Sequence, residues 1–141
     1  MEPDAQLAPR VLLAVNDALL RRVAGVALRE RGFSVSATTE GSAALMLAES
    51  FSPDVIMVDL ELPSPKGGSL FDTVRGLTDA YIVGIAPPDA DAMRIRALRA
   101  GADDVVSVWV SRRTWITATA ENTALQIASA SPVAITGVSA A

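Results

Sequence analysis

The chain contains no histidine and no cysteine. Without imidazole it lacks the ordinary general base near neutral pH, the usual partner of a nucleophilic serine and the commonest metal ligand. Without thiols it has no disulfide framework, no thiolate nucleophile and no zinc site built on sulfur. Any metal it holds must sit on oxygen. Aromatic residues make up only 4% of the chain, so aliphatic side chains and alanine have to fill the core. Long apolar runs are missing too: charge or polarity interrupts each within about ten residues, short of the 18 or more that span a bilayer. Met1 to Arg10 is acidic and contains proline, unlike the basic start and apolar stretch of a signal peptide. These absences predict a cytoplasmic protein with no membrane partner.

What is present points to one folded domain. A chain of 141 residues buries about two thirds of its unfolded surface, and half of its residues are apolar. Sixteen acidic against twelve basic residues give a formal charge of −4, which repels phosphates and argues against direct nucleic-acid binding by this domain.

Along the chain, apolar runs of strand length alternate with helical periodicity. Strands are predicted at Val11–Val15, Phe33–Ala37, Val55–Val58, Ile82–Ala86 and Val105–Val110. The first helix carries Leu20, Val23, Ala24, Ala27 and Leu28 on one stripe and stops at Gly32. The second, Glu40–Ser50, carries Ala43, Ala44, Leu47 and Ala48. The third, Ser69–Leu77, carries Leu70, Phe71 and Val74, after a loop at Pro63–Gly68 with two prolines and two glycines. Asp89 is the expected N-cap of a fourth helix bearing Met93, Ile95, Ala97 and Leu98, closed by Gly101. A last helix is expected over Ser111–Ala128, with Trp109 and Trp115 packed beneath it. Residues 9–128 then form the domain, and 129–141 a flexible tail or the start of a linker.

Five strands alternating with helices imply right-handed crossovers and an α/β fold, an open, doubly wound parallel sheet with helices on both faces. In such sheets ligands collect at the C-terminal ends of the strands, where Asn16, Asp17 and Asp59 all fall. Oxygen donors of this kind suit Mg²⁺, and a carboxylate beside that cation can attack a phosphoryl group. The alternative is that Asp17 and Asp59 simply cap the helix and loop that follow them.

The segments Val11-Leu-Leu-Ala-Val-Asn-Asp, Pro53-Asp-Val-Ile-Met-Val-Asp-Leu-Glu-Leu-Pro and Ala97-Leu-Arg-Ala-Gly-Ala-Asp-Asp together resemble the receiver domain of bacterial two-component response regulators. The resemblance implies a flavodoxin-like strand order 2-1-3-4-5, with Asp59 as the phosphate-accepting carboxylate and Leu62-Pro63 and Gly67 in register behind it. It also implies a weakly held Mg²⁺ with Asn16, Asp17, Asp59 and Glu61 as candidate ligands. A histidine kinase or another signalling protein is the implied partner. The family's acidic pair falls on Val15 and Asn16 when counted back from Gly32, or on Asn16 and Asp17 after a slip of one residue. In both registers at least one carboxylate is missing.

Other departures follow. Ala86 stands where the family has a threonine or serine that bonds the phosphoryl group. Val108 replaces its lysine, Trp109 the proline that usually follows, and Val105 the aromatic switch residue. The sole lysine, Lys66, lies in the loop after the third strand. The expectation is an atypical receiver in a two-component phosphorelay, acting largely by protein–protein contact. A working phospho-acceptor at Asp59, labelled by a histidine kinase, is one alternative. A small-molecule-sensing pseudo-receiver is another, though no glycine-rich phosphate loop follows the first strand. Lacking histidine, cysteine and lysine at the sheet edge, the chain is not expected to be an enzyme. Arg94, Arg96, Arg99, Arg112 and Arg113 mark the surface of the fourth helix, fifth strand and fifth helix as a candidate partner or homodimer interface.

Overall fold

The structure is a computed structural model, and it describes residues 8–87 and 89–107. The elements alternate as β1 (Arg10–Ala14), α1 (Ala18–Glu30), β2 (Ser34–Thr38), α2 (Gly41–Ser50), β3 (Val55–Asp59), α3 (Leu70–Leu77), β4 (Tyr81–Ala86), α4 (Asp91–Arg99) and β5 (Asp104–Ser107). All strand pairs are parallel and the sheet order is β2-β1-β3-β4-β5. This is the flavodoxin-like order that the sequence implied.

Strands with aliphatic residues on both faces need cover on both faces, and they receive it. On one side Val11, Leu13, Val55, Met57, Val83 and Ile85 meet Leu20, Ala24 and Leu28 of α1. On the other, Leu12, Ala14, Ile56, Val58 and Ile82 meet Ala44 and Ala48 of α2, Phe71 and Val74 of α3, and Ala97 of α4. Each buried aliphatic side chain contributes roughly 1.5–3 kcal/mol relative to exposure, so these two layers carry the stability of the domain. Leu60, just beyond β3, folds back over β4: a Cβ built on Gly84 would lie 2.9 Å from Leu60 Cδ2, so only glycine leaves that space. Beside Leu60, a small open pocket of about 40 Å³ lies between α3 and α4, lined in part by Phe71, Met93 and Ala97.

At the N-terminal end of the sheet, Arg75 closes the fold. Its Nη2 donates to the carbonyls of Thr78 and Ala80 at 2.8 and 2.9 Å, and its Nη1 to the Gly101 carbonyl at 3.1 Å and Asp103 Oδ2 at 3.2 Å. Asp103 Oδ2 also accepts from the Ile82 N–H at 2.9 Å, which ties the turn before β5 to β4.

Two local expectations are corrected. Asp89 does not cap α4: it sits at φ 66°, in the left-handed region, while Ala90 occupies the cap position without a side-chain bond. After Pro87-Pro88 the chain needs a sharp turn, and aspartate tolerates that conformation. Ile95 and Leu98 are exposed, because the side of α4 that meets the sheet is the narrow row of Met93 and Ala97. The strand predicted to run to Val110 is described only to Ser107. Val108, Trp109, the expected helix at Ser111–Ala128, Arg112, Arg113, Trp115 and the tail lie outside the described residues.

Candidate functional site

Asp59 ends β3, the central strand, with Ile85 of β4 as its register partner. The ladder runs one residue further, since Leu60 N–H donates to the Ile85 carbonyl at 2.9 Å, and then breaks into a turn closed by Leu62 N–H to the Asp59 carbonyl at 3.0 Å. Within that turn the Asp59 carboxylate is held by backbone donors: Glu61 N–H reaches Oδ1 at 3.0 Å and Asn16 N–H reaches Oδ2 at a longer 3.4 Å. Each oxygen therefore keeps acceptor capacity to spare. Among the described residues the carboxylate has no cationic partner.

Of the other expected ligands, Asp17 faces its own helix. Its Oδ1 accepts from Leu20 N–H at 2.8 Å and caps α1. Val15 is buried in the core at 1% exposure, and Asn16, beside Asp59, is exposed. Glu61 is exposed and meets Asp59 through its backbone.

The loop after β3 is tightly organised. Ser64 N–H donates to the Gly68 carbonyl at 2.9 Å, Gly67 N–H to the Ser64 carbonyl at 3.0 Å, and the nearly buried Ser64 hydroxyl bonds Thr73 Oγ1 at 2.7 Å. Gly67 and Gly68 have φ of 95° and 76°, which suits residues without a Cβ. Lys66 rides exposed in this loop, and among the described residues its ammonium has no ion-pair partner.

At the next strand ends, Ala86 is a methyl group at 1% exposure in the core, and Val105 is equally interior at 4%. Two features escaped the sequence reading. Arg21 Nη1 donates to the carbonyls of Val15 and Asn16 at 2.9 and 3.3 Å, bracing the turn beside Asp59. A cation in the first turn opposes the helix dipole, so its position made sense only if it found carbonyls outside the helix. Arg94 Nη2 bonds Ser107 Oγ at 2.9 Å, and Ser107 pairs with Ala86 across the β4–β5 ladder. Arg96 and Arg99 are exposed on the same helix.

Comparison with known proteins decides what this architecture is. The family model of the response regulator receiver domain matches residues 11–120. The chain belongs to the response regulator receiver family. Among relatives of this receiver, the transcriptional regulatory protein KdpE of Mycobacterium tuberculosis is 31% identical over 97 residues, covering 69% of this chain and 43% of that protein. The probable transcriptional regulatory protein TcrX of the same organism is 30% identical over 98 residues, covering 69% and 42%. The chain thus spans less than half the length of these curated relatives. In fold it is similar to the response regulator domain of Thermotoga maritima CheB, with a TM-score of 0.76 at 23% identity, covering 90% of this chain and 98% of that one.

Receivers serve two-component signalling, interact with histidine kinases and other signalling proteins, and generally bind Mg²⁺ at the phosphorylation site. They are generally non-enzymatic. The donor set around Asp59 fits such a cation poorly. Among the described residues no three acidic side chains gather as a metal-holding group, Asp17 is engaged in its cap, and Asn16 brings no charge. No helix among the described residues is long and apolar enough to cross a membrane.

Proposed function

We propose that this receiver is atypical and acts largely by protein–protein contact, with Asp59 as its phosphorylation site but with little coupling of a phosphoryl group to the fold. Ala86 carries this reading. A buried methyl group ends β4 where a hydroxyl donor would be needed to hold a phosphoryl oxygen. Without contacts that differ between two states, phosphorylation has little leverage on their equilibrium. Val108, uncharged where a lysine would pair with the phosphoryl group, adds to the argument. Mg²⁺ binding through Asp59, with Asn16, Asp17 and Glu61 nearby, is weak on this reading, because the charge that would hold it is reduced.

The partner surface is the α4 side of the domain, with Arg94, Arg96 and Arg99, continued by Arg112 and Arg113. It serves a signalling protein or a second copy of the chain. The receiver occupies residues 9–128 of a cytoplasmic protein, and 129–141 form a tail or the start of a linker. The domain catalyses no reaction of its own.

Adding acetyl phosphate or beryllofluoride with Mg²⁺ to the ¹⁵N-labelled chain tests this. Amide shifts confined to the neighbourhood of Asp59, and signalling output preserved in Asp59→Asn, are expected. Broad shifts reaching α4, with output lost in Asp59→Asn, overturn the reading in favour of a phosphorylation-driven receiver.

A further inference from the structure

We propose that the open edge of β2, together with the neighbouring face of α1, docks an extended acidic segment of a partner protein, which adds to the sheet as one more strand. β2 is an edge strand that pairs only with β1 among the described residues. Its sequence, Ser-Val-Ser-Ala-Thr, has no charge and no proline, the usual protections of an exposed edge. The ladder fixes which groups point outward, and of these the Val35 carbonyl already accepts from Arg29. Ser34 N–H donates inward to the Pro9 carbonyl and the Thr38 carbonyl accepts from Val15 N–H, so the alternate residues Val35 and Ala37 turn their backbone polar groups outward.

What stands over that edge selects the partner's chemistry. A broad groove of about 560 Å³ runs between α1 and Ala37, with Arg22 and Arg29 along its wall. Leu19 and Val26 contribute apolar surface there, 44% and 49% exposed. Arg29 Nη2 already reaches the Val35 carbonyl at 3.3 Å, which places a guanidinium on the strand edge itself. Arg22 has no ion-pair partner among the described residues. Alternate side chains of an added strand face the α1 side, so an extended chain with acidic residues at every second position meets all three demands: backbone bonds to β2, carboxylates on the arginines and their methylene stems against Leu19 and Val26. The net charge of −4 repels such a segment at a distance, but screening over about 8 Å at physiological salt leaves the local arginines in control. The inference stands apart from the reading of Asp59, and the groove lies on a different face from α4.

The test titrates the full ¹⁵N-labelled chain with acetyl-Glu-Val-Glu-Val-Glu-amide. Shifts are expected at the amides of 35–39 and along 18–29, with a Kd at or below about 1 mM. Arg22→Glu with Arg29→Glu should weaken binding by about tenfold or more, and the peptide with lysine in place of glutamate should not bind. Ala37→Pro removes one outward N–H while leaving the arginines in place, and proline is tolerated on an edge. It should also abolish binding, with thermal melts reporting that each variant is folded. No shifts at millimolar peptide, equal binding of the lysine peptide, or unchanged binding in a folded Ala37→Pro chain would overturn the proposal. Self-association through the edge, seen as shifts that grow with protein concentration alone, would overturn it in favour of a second copy of the chain.

Discussion

Gly41 lies directly against the backbone of Pro63. A Cβ built at Gly41 would come within 2.7 Å of the Pro63 carbonyl oxygen and 2.9 Å of Pro65 Cδ. The first residue of α2 thus fixes the position of the loop that follows Asp59. Gly41→Ala forces that loop or the helix start to move, an overpacking cost of about 1–3 kcal/mol. Gly76, with nothing within 4 Å of its added Cβ, is the contrast. Gly76→Ala is expected to stabilise the protein by about 0.5–1 kcal/mol through helix propensity. Chemical denaturation of the two variants reads both signs.

Asp17→Ala removes the oxygen that accepts from Leu20 N–H at 2.8 Å. Loss of such a cap costs typically about 1 kcal/mol. Asp17→Asn keeps an accepting oxygen and should retain most of that stability, whereas a metal-ligand role would make Asn and Ala alike in Mg²⁺ affinity. Thermal melts with and without Mg²⁺ distinguish the two roles.

Replacing Arg75 unties four acceptors at once. Arg75→Ala leaves the half-buried carbonyls of Thr78 and Ala80 without their donor and is expected to cost about 1–3 kcal/mol. Arg75→Lys should recover less than half of this, since an ammonium cannot fork between two pairs of acceptors. Urea midpoints at constant m-value provide the measurement.

Tyr81 is the single tyrosine, so absorbance at alkaline pH reports it alone. Burial, with the Asp104 and Asp103 carboxylates nearby, holds its phenol above the ordinary value of 10.0. The folded state therefore keeps the proton where the unfolded chain releases it. This stabilisation is fully present below the unfolded value and is lost as pH rises through the folded one. Ultraviolet titration of the native protein should give a midpoint above that of the urea-unfolded chain. Tyr81→Phe should flatten the alkaline fall in stability.

The fold could be read from the sequence because its signal was redundant: five aliphatic runs, each followed by a helical stripe or a glycine stop, admit few topologies. The site was harder. The position of Asp59 at the end of the third strand was readable, because it closes an apolar run. Asp17, one turn away, was not, because an aspartate before a helix serves equally as ligand or cap. The structure shows it bonded to Leu20. Arg94 was read as partner surface and Arg21 was passed over, yet their guanidinium groups reach back to carbonyls and a hydroxyl at strand ends. Long, flexible side chains choose such partners only once the tertiary fold has brought them near. The exposure of Ile95 and Leu98 has a similar origin: α4 meets the sheet along a row too narrow to cover both.

The small pocket between α3 and α4 is lined by Leu60, Phe71, Met93 and Ala97. Leu60 is the next residue after Asp59 and is wedged over Gly84, so one side chain joins the end of the central strand to the wall of this pocket. A bulkier side chain in place of Ala97 would therefore press on the residue directly behind Asp59.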